Sequence, residues 1–196
     1  DAATLPPGLD PTYDLDGTPD GTTDVTLADA DDANLDVDFS FGGNGEIGDT
    51  VWWDLDGDGT LDAGEPGIPG VDVLIRWAGP NGAFDDGVGT DDVTYLETTD
   101  AAGGYGRDRL PGGLFRVTVT DPFGTSLPSI GVPTFDLDGI GTPHEAELTL
   151  GLGEANLGVD FGYRGDNALG DLVWFDVDDS GIQEPPEPGL DGIDLD

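Results

Sequence analysis

Twelve residues, Asp54-Leu-Asp-Gly-Asp-Gly-Thr-Leu-Asp-Ala-Gly-Glu65, carry the most specific chemistry of the chain. Counted from Asp54, acidic side chains stand at positions 1, 3, 5, 9 and 12, with Gly59 at position 6. Calcium takes six to eight oxygens at about 2.3–2.6 Å, and carboxylates in this order converge on one such ion. It is the ligand order of an EF-hand loop. Asp54, Asp56, Asp58, Asp62 and Glu65 are the side-chain donors, and Thr60 supplies its backbone carbonyl. The spacing therefore predicts bound Ca2+. A less perfect version runs from Asp176 to Glu187, with Asp176, Asp178, Ser180, Glu184 and Glu187 in the corresponding places. There a neutral hydroxyl replaces a carboxylate, and Pro185 and Pro186 stiffen the approach to Glu187, so weaker binding is expected.

Smaller acidic groups are further candidates. Asp14, Asp16 and Asp20, and Asp136 with Asp138, have the spacing to share an ion. The plainer reading is an Asx-turn with a solvated carboxylate. Asp49 and Asp171 each follow a glycine at the start of a predicted strand, where they either complete a site near a joint or are ordinary strand-end residues. Carboxylate pairs also serve glycosidases, but these acids sit in ligand spacing and not in an apolar cleft. The sequence shows no nucleophilic triad, phosphate loop or zinc motif. His144, the single histidine, reads as a loop residue. The chain is not expected to be an enzyme.

The elements that position these loops are strands. Thirty-four glycines and fifteen prolines interrupt nearly every helical window, whereas short alternating apolar runs are frequent. They predict strands at 47–53, 71–77, 93–98, 104–109, 114–119, 146–150 and 157–163. Thr99-Asp-Ala-Ala-Gly-Gly104 reads as a hairpin turn, and 80–92 and 121–144 read as long acidic loops. Seven short strands in about 120 residues predict an antiparallel β-sandwich of immunoglobulin type. Trp52 and Trp53, echoed by Trp174 and Phe175, point to opposite faces of a strand. One should fill the core, and the other should pack at a joint, face solvent or form a shelf for a ligand.

An internal repeat accompanies these signals. Gly48-Asp-Thr-Val-Trp-Trp-Asp54 returns as Gly170-Asp-Leu-Val-Trp-Phe-Asp176, and 176 − 54 = 122. Leu35-Asp-Val-Asp-Phe39 returns as Leu157-Gly-Val-Asp-Phe161, and Pro11-Thr-Tyr-Asp-Leu-Asp-Gly17 as Pro133-Thr-Phe-Asp-Leu-Asp-Gly139, at the same interval. The expected organisation is the C-terminal part of an upstream repeat (1–42), one complete repeat (43–164) and the N-terminal part of a downstream repeat (165–196). The chain starts at Asp1 and reads as a piece of something longer. No Pro/Ser-rich coil separates the repeats, so a stiff array is expected.

Composition narrows the partners. Forty-three acidic residues against five arginines give a net charge of −38, with no lysine. Such a surface repels nucleic acid and anionic membranes, and no apolar run is long enough to insert as a spanning helix. The same charge opposes compaction unless cations or salt relieve it. With no cysteine, the fold has no disulfide framework.

The order Ile47-Gly-Asp-x-Val-Trp, the Asp54–Glu65 loop, Pro66-Gly-Ile-Pro-Gly-Val-Asp-Val-Leu74, Thr99-Asp-x-x-Gly-x-Tyr105, Phe115-Arg-Val-Thr-Val119 and Val159-Asp-Phe-Gly-Tyr163 resembles the SdrD B-like domain. That family forms calcium-binding B repeats of serine–aspartate repeat adhesins on bacterial surfaces. The resemblance implies tandem CnaB-type, Ig-like sandwiches that bind several calcium ions. It carries the loop ligands onto Asp54, Asp56, Asp58, Thr60, Asp62 and Glu65, and onto Asp176, Asp178, Ser180, Ile182, Glu184 and Glu187, with serine departing from the usual acid. The Lys-based isopeptide crosslink of related CnaB domains cannot form without lysine. The expected function is a calcium-stabilised spacer of a long extracellular, cell-surface protein, whose partners are neighbouring repeats. The alternatives are a module recognising a glycan or protein, and a filament subunit that pairs with copies of itself.

Overall fold

A computed structural model describes residues 8–29, 33–85, 90–120, 131–165 and 173–192. Its strands, in chain order, are β1 (Leu9–Tyr13), β2 (Ser40–Gly43), β3 (Gly45–Trp53), β4 (Asp72–Trp77), β5 (Val93–Thr98), β6 (Gly104–Leu110), β7 (Gly113–Thr120), β8 (Val132–Phe135), β9 (Glu145–Leu150), β10 (Ala155–Asn156) and β11 (Phe161–Arg164). No helix occurs among the described residues. The architecture is all-β and sandwich-like, as the alternating runs require.

Alternation decides which face goes inward. In β4, Val73 and Ile75 are buried while Leu74 and Arg76 are not. Strand β7 buries Phe115, Val117 and Val119, and β9 buries Ala146, Leu148 and Leu150. With β5 they form an antiparallel sheet in the order β5-β4-β7-β9. A second sheet runs β10-β3-β11-β8, with β6 also paired to β3. From it, Ile47, Val51, Tyr105, Leu110, Phe161 and Tyr163 join the first sheet's apolar side chains in one continuous core. Each such large side chain contributes about 1.5–3 kcal/mol of burial.

The chain divides into two units, Asp1–Gly165 and Asp166–Asp196. Within the first, β1 and β2 form an antiparallel ribbon with Tyr13 opposite Ser40, Pro11 opposite Phe41 and Asp10 opposite Gly42. Strands β8 and β11 pair Phe135 with Gly162, Pro133 with Tyr163 and Val132 with Arg164. Each of these pairs lies 122 residues beyond its counterpart, so the repeated sequences adopt one register.

Three expectations are revised. The predicted strand at 157–163 is strand only over its end, as β11; residues 157–160 are not strand, and the short β10 lies just before them. From Asn156 opposite Ile47 to Phe161 opposite Val51 the chain takes five steps against four on β3, which is a bulge. Asp160 Oδ1 accepts the Thr50 N–H there, at 2.9 Å, and the Tyr105 hydroxyl donates to the Val159 carbonyl. The loop expected over 121–144 contains β8, and its first ten residues lie outside the described ones. Trp52 and Trp53 do point to opposite faces, but neither is left exposed. Trp52 is buried against Phe135, with ring centroids 5.6 Å apart, and Trp53 packs on the main core. Phe175 is exposed.

Candidate metal centre

The twelve-residue loop leaves the end of β3 and returns to it. The Asp54 N–H donates to the Tyr163 carbonyl at 2.8 Å, the Trp53 N–H to Pro66 at 2.9 Å, and the Ile68 N–H back to Val51 at 2.8 Å. Trp52 and Gly67 form a bridge across the neck. A strand and a bridge therefore flank the loop, with no helix on either side. The hairpin at 99–104 is present as expected, and Asp100 accepts the N–H groups of Ala102 and Gly104.

Inside the loop, Asp54 is fully buried and organises the turn. Its two carboxylate oxygens accept the N–H groups of Gly57 at 2.6 Å and Gly59 at 2.8 Å. Both glycines have positive φ, 77° and 79°, which residues with a Cβ rarely adopt. Glu65 reaches back across the loop and accepts the N–H groups of Leu55 at 2.6 Å and Asp62 at 3.0 Å. Carboxylate oxygens of Asp54, Asp56 and Glu65 lie within 4.8 Å of one another, and so do those of Asp56, Asp58 and Asp62. All five predicted acidic positions are thus gathered around Asp56. Thr60 is exposed and donates its N–H to Asp58 at 2.7 Å.

The electrostatics fit a cation. Burial opposes the charge on Asp54, but Thr134 and the N–H groups of Gly59, Gly57 and Asp58 together hold its pKa below the ordinary value. At Asp56 the Asp58 N–H lowers the pKa, yet desolvation and repulsion from Asp58, Glu65 and Asp54 raise it on balance. Five crowded oxygen donors of hard character, one of them dry, suit Ca2+.

The second unit builds the same loop more loosely. Asp176 accepts the N–H groups of Ser180 at 3.0 Å and Gly181 at 2.8 Å, and these bonds hold its pKa down. Glu187 accepts those of Val177 at 2.8 Å and Glu184 at 3.1 Å. Trp174 and Gly189 form the neck bridge. Asp179 stands where Gly57 stands in the first loop and takes φ 62°, a conformation Asp tolerates better than most. Asp176, Asp178 and Glu187 converge within 4.8 Å, but Glu184 is not in that group. Ser180 exchanges hydrogen bonds with the Ile182 backbone, at 3.2 Å each way.

The minor candidates separate. Asp14 is fully buried with Oδ1 unpartnered, while Asp16 and Asp20 are exposed and cap Thr18 and Thr22 as Asx-turns. The three form no common group. Asp136, the counterpart of Asp14, is 3% exposed with neither carboxylate oxygen hydrogen-bonded. Burial, and next the charge of Asp138, push its pKa up to about 6. Asp138 accepts the Glu147 N–H at 3.0 Å. Asp49 is exposed and joins no trio among the described residues, and Asp171 lies outside them. His144 stacks on Tyr163 at 5.5 Å with its Nδ1 3.1 Å from the Tyr163 hydroxyl, a packing role that the sequence did not reveal.

Comparison with known proteins places the chain in a family. The family model described as SdrD B-like domain matches residues 45–163, from the start of β3 to β11. The chain belongs to the SdrD B-like domain family. It is 33% identical to serine-aspartate repeat-containing protein F of Staphylococcus epidermidis, over 96% of this chain and 11% of that protein. It is 30% identical to serine-aspartate repeat-containing proteins E and D of Staphylococcus aureus, over 96% and 97% of this chain and 16% and 14% of those proteins. The chain thus spans about a tenth to a sixth of the length of these relatives. The SdrD B-like match begins at the strand that carries the loop and ends at the strand that anchors Asp54, so the loop is internal to the domain. The SdrD B-like domain is non-enzymatic.

Proposed function

We propose that this chain is a calcium-stiffened spacer from a long extracellular surface protein. Residues 43–164 are one repeat, 1–42 the end of a preceding one and 165–196 the start of a following one. Its partners are the neighbouring repeats of its own chain. The observation that carries this reading is the buried Asp54, with Asp56 and Glu65 converging beside it, in a loop that recurs 122 residues on. A bound ion replaces repulsion among these carboxylates with coordination and holds both ends of a long loop to β3. Weak sites suffice outside cells, where calcium-binding modules work at about 0.1–1 mM. Asp136 with Asp138 supplies a further position, since a buried carboxylate without donors calls for a cation.

Calorimetric titration of residues 1–196 with CaCl2 tests the reading. Beside uptake at Asp136, separable phases are expected for the two loops, the tighter removed by Asp54→Asn and the weaker by Asp176→Asn. A titration showing no calcium uptake at millimolar concentration ends it.

The Asp136 position makes a sharper prediction. Its folded pKa, about 6, lies above the unfolded value of 3.8. Without calcium its stabilising contribution is therefore present below pH 3.8 and lost as pH rises through about 6. Asp136→Asn is expected to raise the stability of the EDTA-treated protein by about 1–3 kcal/mol at pH 8. At pH 4 the gain should vanish, and in calcium the variant should melt below the parent. Denaturant curves at the two pH values decide it, and a variant that is no better than the parent in EDTA at pH 8 contradicts the assignment.

A further inference from the structure

The connection between β4 and β5 folds back over the outer face of its own sheet. The Phe84 ring lies 4.3 Å from the Arg116 guanidinium and 5.5 Å from that of Arg76. This brings Asp85, Asp91 and Asp92 together, with carboxylate oxygens within 4.8 Å of one another. The described residues of this loop stop at Asp85 and resume at Thr90, so all three acids are placed.

Asp92 is the telling member. Its side chain is only 4% exposed. Oδ2 is saturated: it accepts Arg76 Nε at 2.8 Å and the Asp85 N–H at 3.1 Å, and pairs with Arg76 Nη2 at 2.6 Å. Oδ1 has no partner. A buried carboxylate oxygen without a donor is costly, and the cost is relieved by an ion or a water. Arg76 faces Asp92 from β4, and the acids Asp85 and Asp91 complete the group. Asn81 spans the other two carboxylates, its Nδ2 donating to Asp85 Oδ2 at 2.8 Å and to Asp91 Oδ1 at 2.9 Å. An amide here does part of the bridging that a cation between the two would do.

We propose that Asp85, Asp91 and Asp92 form a divalent-cation site in the β4–β5 connection, separate from the twelve-residue loops. Its ligands are hard carboxylate oxygens, so the class is calcium or a similar oxygen-seeking ion. The ion closes the loop on the sheet and keeps Phe84 seated against Arg116. The site lies on the opposite sheet from Asp54, so it fills or fails independently of the spacer reading.

Calcium stoichiometry measured on residues 1–196 tests this. Asp91→Asn is expected to bind one ion fewer per chain, with the phase assigned to Asp54 unchanged. Equal stoichiometry in the variant overturns the site and leaves water as the partner of Asp92. Should the variant fail to fold, NMR of the parent decides. The Asn81 side-chain amide and the Asp85 N–H are expected to shift saturably with CaCl2, and to do so in Asp54→Asn as well. Resonances that stay still at millimolar calcium overturn it even when the Asp54 loop binds.

Discussion

In excess EDTA the chain is expected to melt about 10–20 °C below its value in saturating calcium. A ligand that binds only the folded form adds RT ln(1 + [L]/Kd), about 2.7 kcal/mol per site at a hundredfold excess over Kd. Two filled sites in the first unit, at Asp54 and at Asp136, add about 5 kcal/mol, comparable to the whole stability of a modest domain. For a unit of this size each kcal/mol moves the melting temperature by about 2–4 °C. The effect is local, since the ions each offset only two of the 38 net negative charges of the chain. What they relieve is the crowding of Asp54, Asp58 and Glu65 around Asp56, which already raises the pKa of that acid. Monovalent salt shortens the Debye length and so weakens the repulsion, but it supplies no ligand geometry. High NaCl should restore only part of the lost melting temperature. Protease cleavage within 55–64 should accelerate in EDTA, because the loop is exposed there and is held by few bonds beyond those of Asp54 and Glu65. A melting curve that EDTA leaves unchanged would remove calcium from the account.

Much of this was legible from residue order alone. The alternation in Val73-Leu-Ile75 and Phe115-Arg-Val-Thr-Val119 fixes period-two burial, and the first sheet follows from it. The Asp54 loop was legible because its ligand spacing is local: every donor lies within twelve residues, so no tertiary knowledge is needed. Strand β8 was hidden because Val-Pro-Thr-Phe is short and carries Pro133. That residue is tolerated because β8 lies at the edge of its sheet, a fact only topology supplies. The bulge between β10 and β11 was hidden for a similar reason. Leu157–Asp160 alternates like a strand, but Asp160 takes the Thr50 N–H with its side chain, and that partner is 110 residues away. The burial of Asp136 and Asp14 was equally invisible. Both read as turn acids in sequence, and only the strand pairing beside them shuts out the water. In the β4–β5 connection Asp92 read only as part of a long acidic loop, and its enclosure depends on Arg76 reaching it from the sheet.

Gly67→Ala is expected to cost about 3 kcal/mol or more and to weaken calcium binding at the Asp54 loop at least tenfold. The reason is the seat on which the loop rests. A Cβ at Gly67 would stand 1.8 Å from the Ala102 carbonyl oxygen and 2.3 Å from its carbon. From the other side, a Cβ at Gly103 would meet the Val51 carbonyl at 2.4 Å and Gly67 Cα at 2.6 Å. The exit of the loop, the end of β3 and the 99–104 hairpin thus touch backbone to backbone. No side chain at this contact can rotate away, so the chain must move apart, and overpacking of that kind costs about 1–3 kcal/mol even where neighbours give. Moving Gly67 also breaks its bridge to Trp52 and disturbs the Trp53–Pro66 bond that closes the neck. Glu65, two residues earlier, then loses the position from which it reaches Leu55 and Asp62. Stability and affinity should therefore fall together, although Gly67 offers no ligand. Gly106→Ala is the control: a Cβ there meets nothing within 4 Å and its φ is not positive. It should leave both quantities within about 0.5 kcal/mol of the parent. If Gly67→Ala lowered the melting temperature but kept the calcium affinity of the loop, the loop would hold its ligands without the sandwich, and its place at the neck of β3 would have no part in binding.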